Sequence, residues 1–304
     1  MSDNKLLNTY IKTLIPYLNI NNIPKNIDLV FDGGAFNGGM GFGIAHYIKQ
    51  LENKKHLTVN RISGCSIGSV IALSYFINME YEINDIFVSI CNNFKRTFNL
   101  SVFEKHVKKF IYKYLTDDLS ELNNKLYITY CDANNYKQIV VSKYNNREHL
   151  LKCIMRSCHI PYITSSVMKY ENKYIDGILP YVFIDGERPV LFVKLITILN
   201  YKRIFNIKNE KNIYERMLIG IEDIHSFLTN EHSDMCSYYN NWSIISICLI
   251  KLRLFIFFNI LWLLDMGRDL KEYIPVKILD SSFSHNIFLL LTDLYSNIMY
   301  KIIN

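Results

Sequence analysis

Glycine is scarce in this chain except in one stretch: of twelve glycines in 304 residues, eight fall between residues 33 and 68. Cysteine pairing is also missing. The seven cysteines are scattered, odd in number and include no Cys-x-x-Cys pair. That excludes the disulfide framework of a small secreted domain and a cysteine zinc site, and it points to a reducing compartment. Residues 1–26 lack the long apolar core and small-residue cleavage site of a secretory signal, so an intracellular protein is expected. No internal repeat and no long disordered linker interrupts the chain. No nucleic-acid recognition motif accompanies the net charge of +6, so no nucleic-acid partner is expected.

What is present suits a sizeable core. Half of the residues are apolar, enough for one large domain or one with a small appendage. The basic charge gathers at Lys105, Lys108, Lys109 and Lys113, and again at Lys202, Arg203, Lys208 and Lys211. These stretches are either solvated helix faces or contacts for an anionic membrane surface.

Apolar positions at helical spacing (Leu6, Leu7, Tyr10, Ile11, Leu14, Ile15, Leu18) predict an N-terminal helix over 5–20, closed by Pro24. Residues 27–31 read as a buried strand, and helical periodicity resumes through Ile44, Tyr47, Ile48 and Leu51. A second strand spans 57–63 and an apolar helix 67–79. A helix crossing between two strands implies a parallel pair and an α/β sandwich. Further helices are expected over 81–95, 101–115 and 147–158, with strands at 126–131, 138–142, 174–176 and 190–198. Beyond residue 210 the pattern is mostly helical.

The two glycine clusters carry the chemistry. The first runs from Asp32 through Gly33, Gly34, Ala35, Phe36, Asn37 and Gly38; the second is Gly64-Cys65-Ser66-Ile67-Gly68. Each follows a strand and opens a helix. Gly-x-Ser-x-Gly at such a corner is the pattern of a nucleophile elbow, where close-passing strand and helix leave Ser66 at a helix N-terminus. The upstream turn of small residues aims successive N–H groups into one cavity, as an oxyanion hole requires. Nucleotide phosphate is the rival ligand for such a turn. No Gly-Lys-Ser/Thr follows, and Gly33-x-Ala35-x-x-Gly38 is an imperfect dinucleotide fingerprint.

Two kinds of partner could activate Ser66. A Ser-His-Asp hydrolase would draw on His225, His232 or His285, none of which sits in a recognisable loop. The better candidate is Asp176, which ends a strand and precedes Gly177, so its carboxylate can face the elbow. Asp185-Gly186 reads as a plain turn between strands.

These three elements together resemble the patatin-like phospholipase family: a Gly-rich oxyanion turn, Gly-x-Ser-x-Gly, then Asp-Gly about a hundred residues later. The stretch Arg156-Ser157-Cys158-His159-Ile160-Pro161 and the pair Leu179-Pro180 fit the same pattern. The resemblance implies a three-layer α/β/α fold with a mainly parallel central sheet, and hydrolysis of lipid acyl esters by a Ser–Asp dyad without metal or cofactor. Ser66 would be the nucleophile and Asp176 the proton acceptor. Gly33, Gly34, Ala35 and Gly38 would belong to the oxyanion turn, with Gly64, Gly68 and Gly177 as motif glycines. A catalytic domain at 27–200 would then follow an N-terminal helical segment at 1–26 and precede a mostly helical extension at 201–304. Three residues depart from the family pattern: Asn37 where a basic residue is common, Ala35 where glycine is, and Ile178 where glycine or alanine is. They leave open a weak or inactive membrane-binding relative on the same fold.

The longest apolar stretch is 242–264, interrupted by Lys251, Arg253 and Asn259. Its roughly fifteen apolar residues contribute about −0.3 to −0.6 kcal/mol each to membrane insertion, against about +2.5 to +3.5 for each of two cations. The sum is near zero, which favours a buried or interface-docking helix pair over a span at 244–264. Phe255, Phe257, Phe258 and Trp262, with Lys251, Arg253, Arg268 and Lys271 nearby, are the expected contact with a lipid surface.

Overall fold

The order strand, glycine turn, helix, strand, elbow, helix sets the centre of the molecule. The computed structural model describes residues 3–77 and 82–273; His285 and the side chains of Arg268 and Lys271 lie outside that description. Helix α1 (Asp3–Leu14) leads into β1 (Asn26–Phe31), α2 (Gly38–Asn53), β2 (Thr58–Cys65) and α3 (Ile67–Phe76). Then come α4 (Ile83–Thr97), α5 (Phe103–Tyr114), β3 (Leu126–Asp132), β4 (Lys137–Val141) and α6 (Arg147–Ser157). The described elements end with β5 (Tyr174–Ile175), β6 (Val190–Val193), α7 (Tyr214–Leu228), β7 (Cys236–Tyr238) and α8 (Ile244–Tyr273).

The strands form one sheet in the order β4-β3-β2-β1-β6-β7. Its centre is parallel: β1 lies between β2 and β6, and β2 pairs with β3. Strands β4 and β7 are antiparallel and close the two edges. β1 is buried at every position after Asn26, as a strand covered on both faces must be.

One face of the sheet carries α2, α3, α6 and α7 over a core that runs from Leu7 to Cys236. The other face is covered by α8. Trp242 and Ile250 pack with Val30, Val190 and Phe192, while Leu254, Phe257, Phe258 and Leu261 pack with Cys131, Ala133 and Ile175. The result is the three-layer α/β/α architecture.

The described residues beyond 210 are mostly helical, as expected, with the short β7 pairing the exposed edge of β6. Two details differ from the sequence expectation. Strand β6 stops at Val193 rather than 198, since the chain turns to offer the Leu195 carbonyl to the Asn37 side chain. The apolar stretch is one helix rather than a pair, and Phe257 and Phe258 face the sheet instead of the surface. Phe255 and Trp262 do face outward, 65 % and 49 % exposed.

Helix α7 crosses α2 at backbone contact. A Cβ on Gly220 would overlap the Met40 carbonyl, and one on Gly43 would overlap that of Met217. Gly220→Ala should therefore force the helices apart and lower stability by about 1–3 kcal/mol, the usual cost of overpacking. Thermal unfolding measures it; an unchanged melting temperature would mean the crossing is looser than described.

Candidate active site

Ser66 sits where β2 turns into α3, with φ +52°, a left-handed backbone rare for serine. The glycines on either side explain how it is held. A Cβ on Gly64 would overlap the Gly68 carbonyl, and one on Gly68 would overlap that of Phe31. The corner is pinned from behind: the Ser66 N–H donates to Ser157 Oγ at 2.8 Å, and that hydroxyl donates to the Thr129 carbonyl at 2.6 Å.

Sheet register brings Asp176 to the same spot. β2 pairs with β3 only as far as Cys65 opposite Thr129. With β4 on the other edge of β3, the edge beyond β2 is taken by β5, Ile175 opposite Cys131. Asp176 therefore enters where Ser66 leaves. The Ser66 hydroxyl stands close enough to the Asp176 carboxyl to favour its ionised form. The Ile178 N–H donates to Asp176 Oδ1 at 2.9 Å. Burial pushes the Asp176 carboxyl up to about 6, against the opposing effects of the Ser66 hydroxyl, the Ile178 N–H and the Arg253 charge.

The glycine turn lies beside this pair. A Cβ on Gly33 would stand 3.1 Å from Ser66 Cβ, and one on Gly38 would overlap Ile67. The Gly33 N–H donates to the Asp32 carboxylate at 2.8 Å, and the Gly38 N–H to the carbonyls of Ala35 and Phe36. Among the described residues, the N–H groups of Gly34 and Ala35 have no partner. Ala35 has φ +46°, which accounts for glycine being common there. Asn37 is buried: its amide donates to the Leu195 carbonyl at 2.8 Å and accepts from Arg216 at 2.9 Å. Arg216 is itself 1 % exposed, so the cation near this turn stands behind it, out of reach of a ligand.

Ser66, Ala35 and Gly38 form part of the wall of a pocket of about 890 Å³ including its open mouth. Phe42, Ile86, Phe87, Phe103, Val107 and Phe110 line it further out, from α2, α4 and α5. The lining is almost wholly apolar; its one histidine, His106, is tied to Ser89 Oγ at 2.9 Å.

The other candidates stand elsewhere. His225 bonds the Tyr47 hydroxyl and His232 pairs with Asp234 on the surface. Asp185 accepts from Arg61 and caps the turn at Glu187. Arg253 is the residue that sequence reasoning misses. It reaches from α8 to Asp32 with two hydrogen bonds, at 2.8 and 2.6 Å. Its one signal was a cation inside an apolar run.

A left-handed serine at a strand–helix corner of a mainly parallel α/β/α sandwich is the architecture of a hydrolase class. More narrowly, the chain belongs to the patatin-like phospholipase family, which matches residues 29–186, just over half of its length. The family is one of lipid acyl hydrolases. Comparison with curated proteins gives no significant match.

The raised carboxyl makes a prediction about stability. Folding lifts Asp176 from 3.8 to about 6, so the stability present below about pH 4 is lost as pH rises through 6. Asp176→Asn carries no such loss. It should be more stable than wild type at pH 8, by up to about 3 kcal/mol, and equal to it near pH 4. Urea unfolding at both pH values checks this; a difference independent of pH would contradict it.

Proposed function

We propose that this protein hydrolyses carboxylic esters of lipids, with Ser66 as nucleophile and Asp176 as its proton acceptor. The observation that carries the reading is the Ser66 hydroxyl, held in a strained elbow against a buried carboxyl at the wall of an apolar pocket. In the first half-reaction Ser66 Oγ attacks the ester carbonyl carbon as its proton passes to Asp176. A carboxylate raised to about 6 is a better base than a free one yet still ionised at neutral pH. The oxyanion is met by the N–H groups of Gly34 and Ala35, with Gly33 and Gly38 shaping the turn. The intermediate collapses, the leaving alkoxide takes the proton back from Asp176, and Ser66 keeps the acyl group. Water then attacks the acyl carbon as its proton passes to Asp176; the bond to Ser66 Oγ breaks, Oγ takes the proton back from Asp176, and the fatty acid leaves. These steps use no metal or cofactor.

The pocket under α4 and α5 would hold the acyl chain, and residues 27–200 would form the catalytic unit. The free thiols, seven in number, suit a reducing, intracellular compartment. Substrate comes from a lipid surface, and α8 would meet it. Ile244–Leu263 is long and apolar enough to cross a membrane, yet its inner face packs on the sheet from Ile250 to Leu261. A helix so docked lies on a bilayer rather than across it. Its outer face offers Leu249, Phe255, Ile256, Ile260 and Trp262, with Lys251 exposed beside them.

A fluorophosphonate probe should label wild type at Ser66, and Ser66→Ala should lose both labelling and esterase activity while remaining folded. Asp176→Asn should be nearly as damaging, with His225→Ala and His232→Ala mild. A histidine variant as inactive as Ser66→Ala would instead favour a Ser-His-Asp hydrolase.

Flotation with phosphatidylcholine–phosphatidylserine vesicles tests the membrane contact. Wild type should float, less so in high salt. Phe255→Ser with Trp262→Ser should sink, with unfolding still cooperative. Continued flotation of that double variant would move the contact off α8.

A further inference from the structure

The site as read so far leaves Arg253 unused, although its guanidinium is bonded on both sides of the dyad. Nη1 and Nη2 grip the two oxygens of Asp32, the residue at the base of the oxyanion turn, and Nη2 also donates to the carbonyl of Ile178. Asp32 in turn accepts the Gly33 N–H, and the Ile178 N–H donates to Asp176. One side chain thus joins the two turns that would stabilise charge and accept the proton.

Ile178 makes this bond consequential. Its φ is +57°, left-handed and costly for a β-branched residue. Something outside the residue must hold it there, because glycine, which adopts that backbone freely, is not used. The Ile178 N–H can point at Asp176 only while its peptide planes keep this orientation, and the carbonyl of the same residue is where Arg253 bonds.

We propose that Arg253 is a positioning residue of the hydrolytic site: its guanidinium locks the oxyanion turn to the aspartate turn and holds Ile178 in the left-handed backbone that glycine would otherwise supply. The proposal rests on the hydrolase reading above. Its source is a helix outside the matched residues 29–186, so the third layer of the sandwich helps build the site. Neutralising Asp32 would be a simpler task, and Arg253 is its ion-pair partner among the described residues. That task alone leaves the shared Nη2 bond to Ile178 without a purpose.

The groups facing Asp176 are few. Arg253 favours its ionised form and Asp32 opposes it. The thiols of Cys65, Cys131 and Cys158 stand near it, all pushed up by burial and so uncharged at neutral pH. Lys194 feels Asp32, but its ammonium lies over the Trp242 ring at 4.3 Å. Loss of Arg253 should therefore raise the pH at which Asp176 ionises.

The test is the rate of Ser66 labelling by a soluble fluorophosphonate, fluoride leaving, measured from pH 5 to 9 without lipid. Arg253→Gln should slow labelling by about 10–100-fold, the scale of a small misplacement of reacting groups. Its pH midpoint should lie above that of wild type. Arg253→Lys, which keeps the charge but not the planar fork, should fall between them. Adding Ile178→Gly to Arg253→Gln should recover part of the rate, because the backbone no longer needs holding. Arg253→Gln labelling within twofold of wild type at an unchanged midpoint overturns the proposal, while wild-type labelling at Ser66 leaves the hydrolase reading standing. No recovery in the double variant also overturns it, leaving Arg253 a counter-ion for Asp32. Loss of folding in both Arg253 variants would do the same by making the residue structural. A wild type that does not label would remove the hydrolase reading and this proposal together.

Discussion

Three stretches of backbone converge at the C-terminal edge of the sheet with no room for a side-chain carbon between them. Gly64 lies against the Gly68 carbonyl, Gly68 against the end of β1, and Gly177 against the Thr129 carbonyl. Everything at the site follows from that crowding. It forces Ser66 into a left-handed backbone, brings the aspartate turn onto the elbow, and sets the glycine turn one van der Waals contact from the serine Cβ. Strain of this kind persists only where its surroundings over-determine it. Here the Ser157 hydroxyl, bridging the Ser66 N–H and the Thr129 carbonyl, is part of that surrounding.

Charge is arranged as tightly as backbone. Two buried carboxylates, Asp32 and Asp176, stand beside one guanidinium. Asp32 receives the bidentate bond and Asp176 only the field, which does not offset the burial that raises the Asp176 carboxyl. Unequal sharing of a single cation can separate two like groups into different tasks. A second guanidinium, Arg216, is buried behind the turn and spends its donors on Asn37, Glu210 and two backbone carbonyls. That explains why a neutral Asn37 can stand in the turn without loosening it.

Helix α8 has two apolar faces with different partners. Its inner face completes the third layer, while its outer face keeps large side chains exposed. In sequence the two are indistinguishable, since both read as Leu, Ile and Phe without a polar stripe to separate them. Hence Phe257 and Phe258, which pack on the sheet, look the same as Phe255, which does not. Arg253 is as ambiguous: a cation in an apolar run is a penalty on any insertion scale, and only its buried carboxylate partner turns it into a docking contact.

The glycine clusters, the order of strands and helices, and the candidate pair Ser66 and Asp176 are readable along the chain, because turn geometry and burial leave local signatures within a few residues. Asp176 is separable from Asp185 on that basis, since a strand end before glycine differs from a polar turn before proline. Other features depend on contacts far apart in sequence. β7 exists because β6 has an edge to fill, and no local pattern marks it. Among the described residues the Gly34 and Ala35 N–H groups are left without a partner, while Asp32 takes the Gly33 N–H and the distant Ile204 carbonyl takes that of Phe36. Arg253 meets Asp32 across 221 residues. A pairing of that kind has no periodicity or spacing to betray it: it comes into being only when α8 is laid across the sheet and the alternative is a buried charge without a partner.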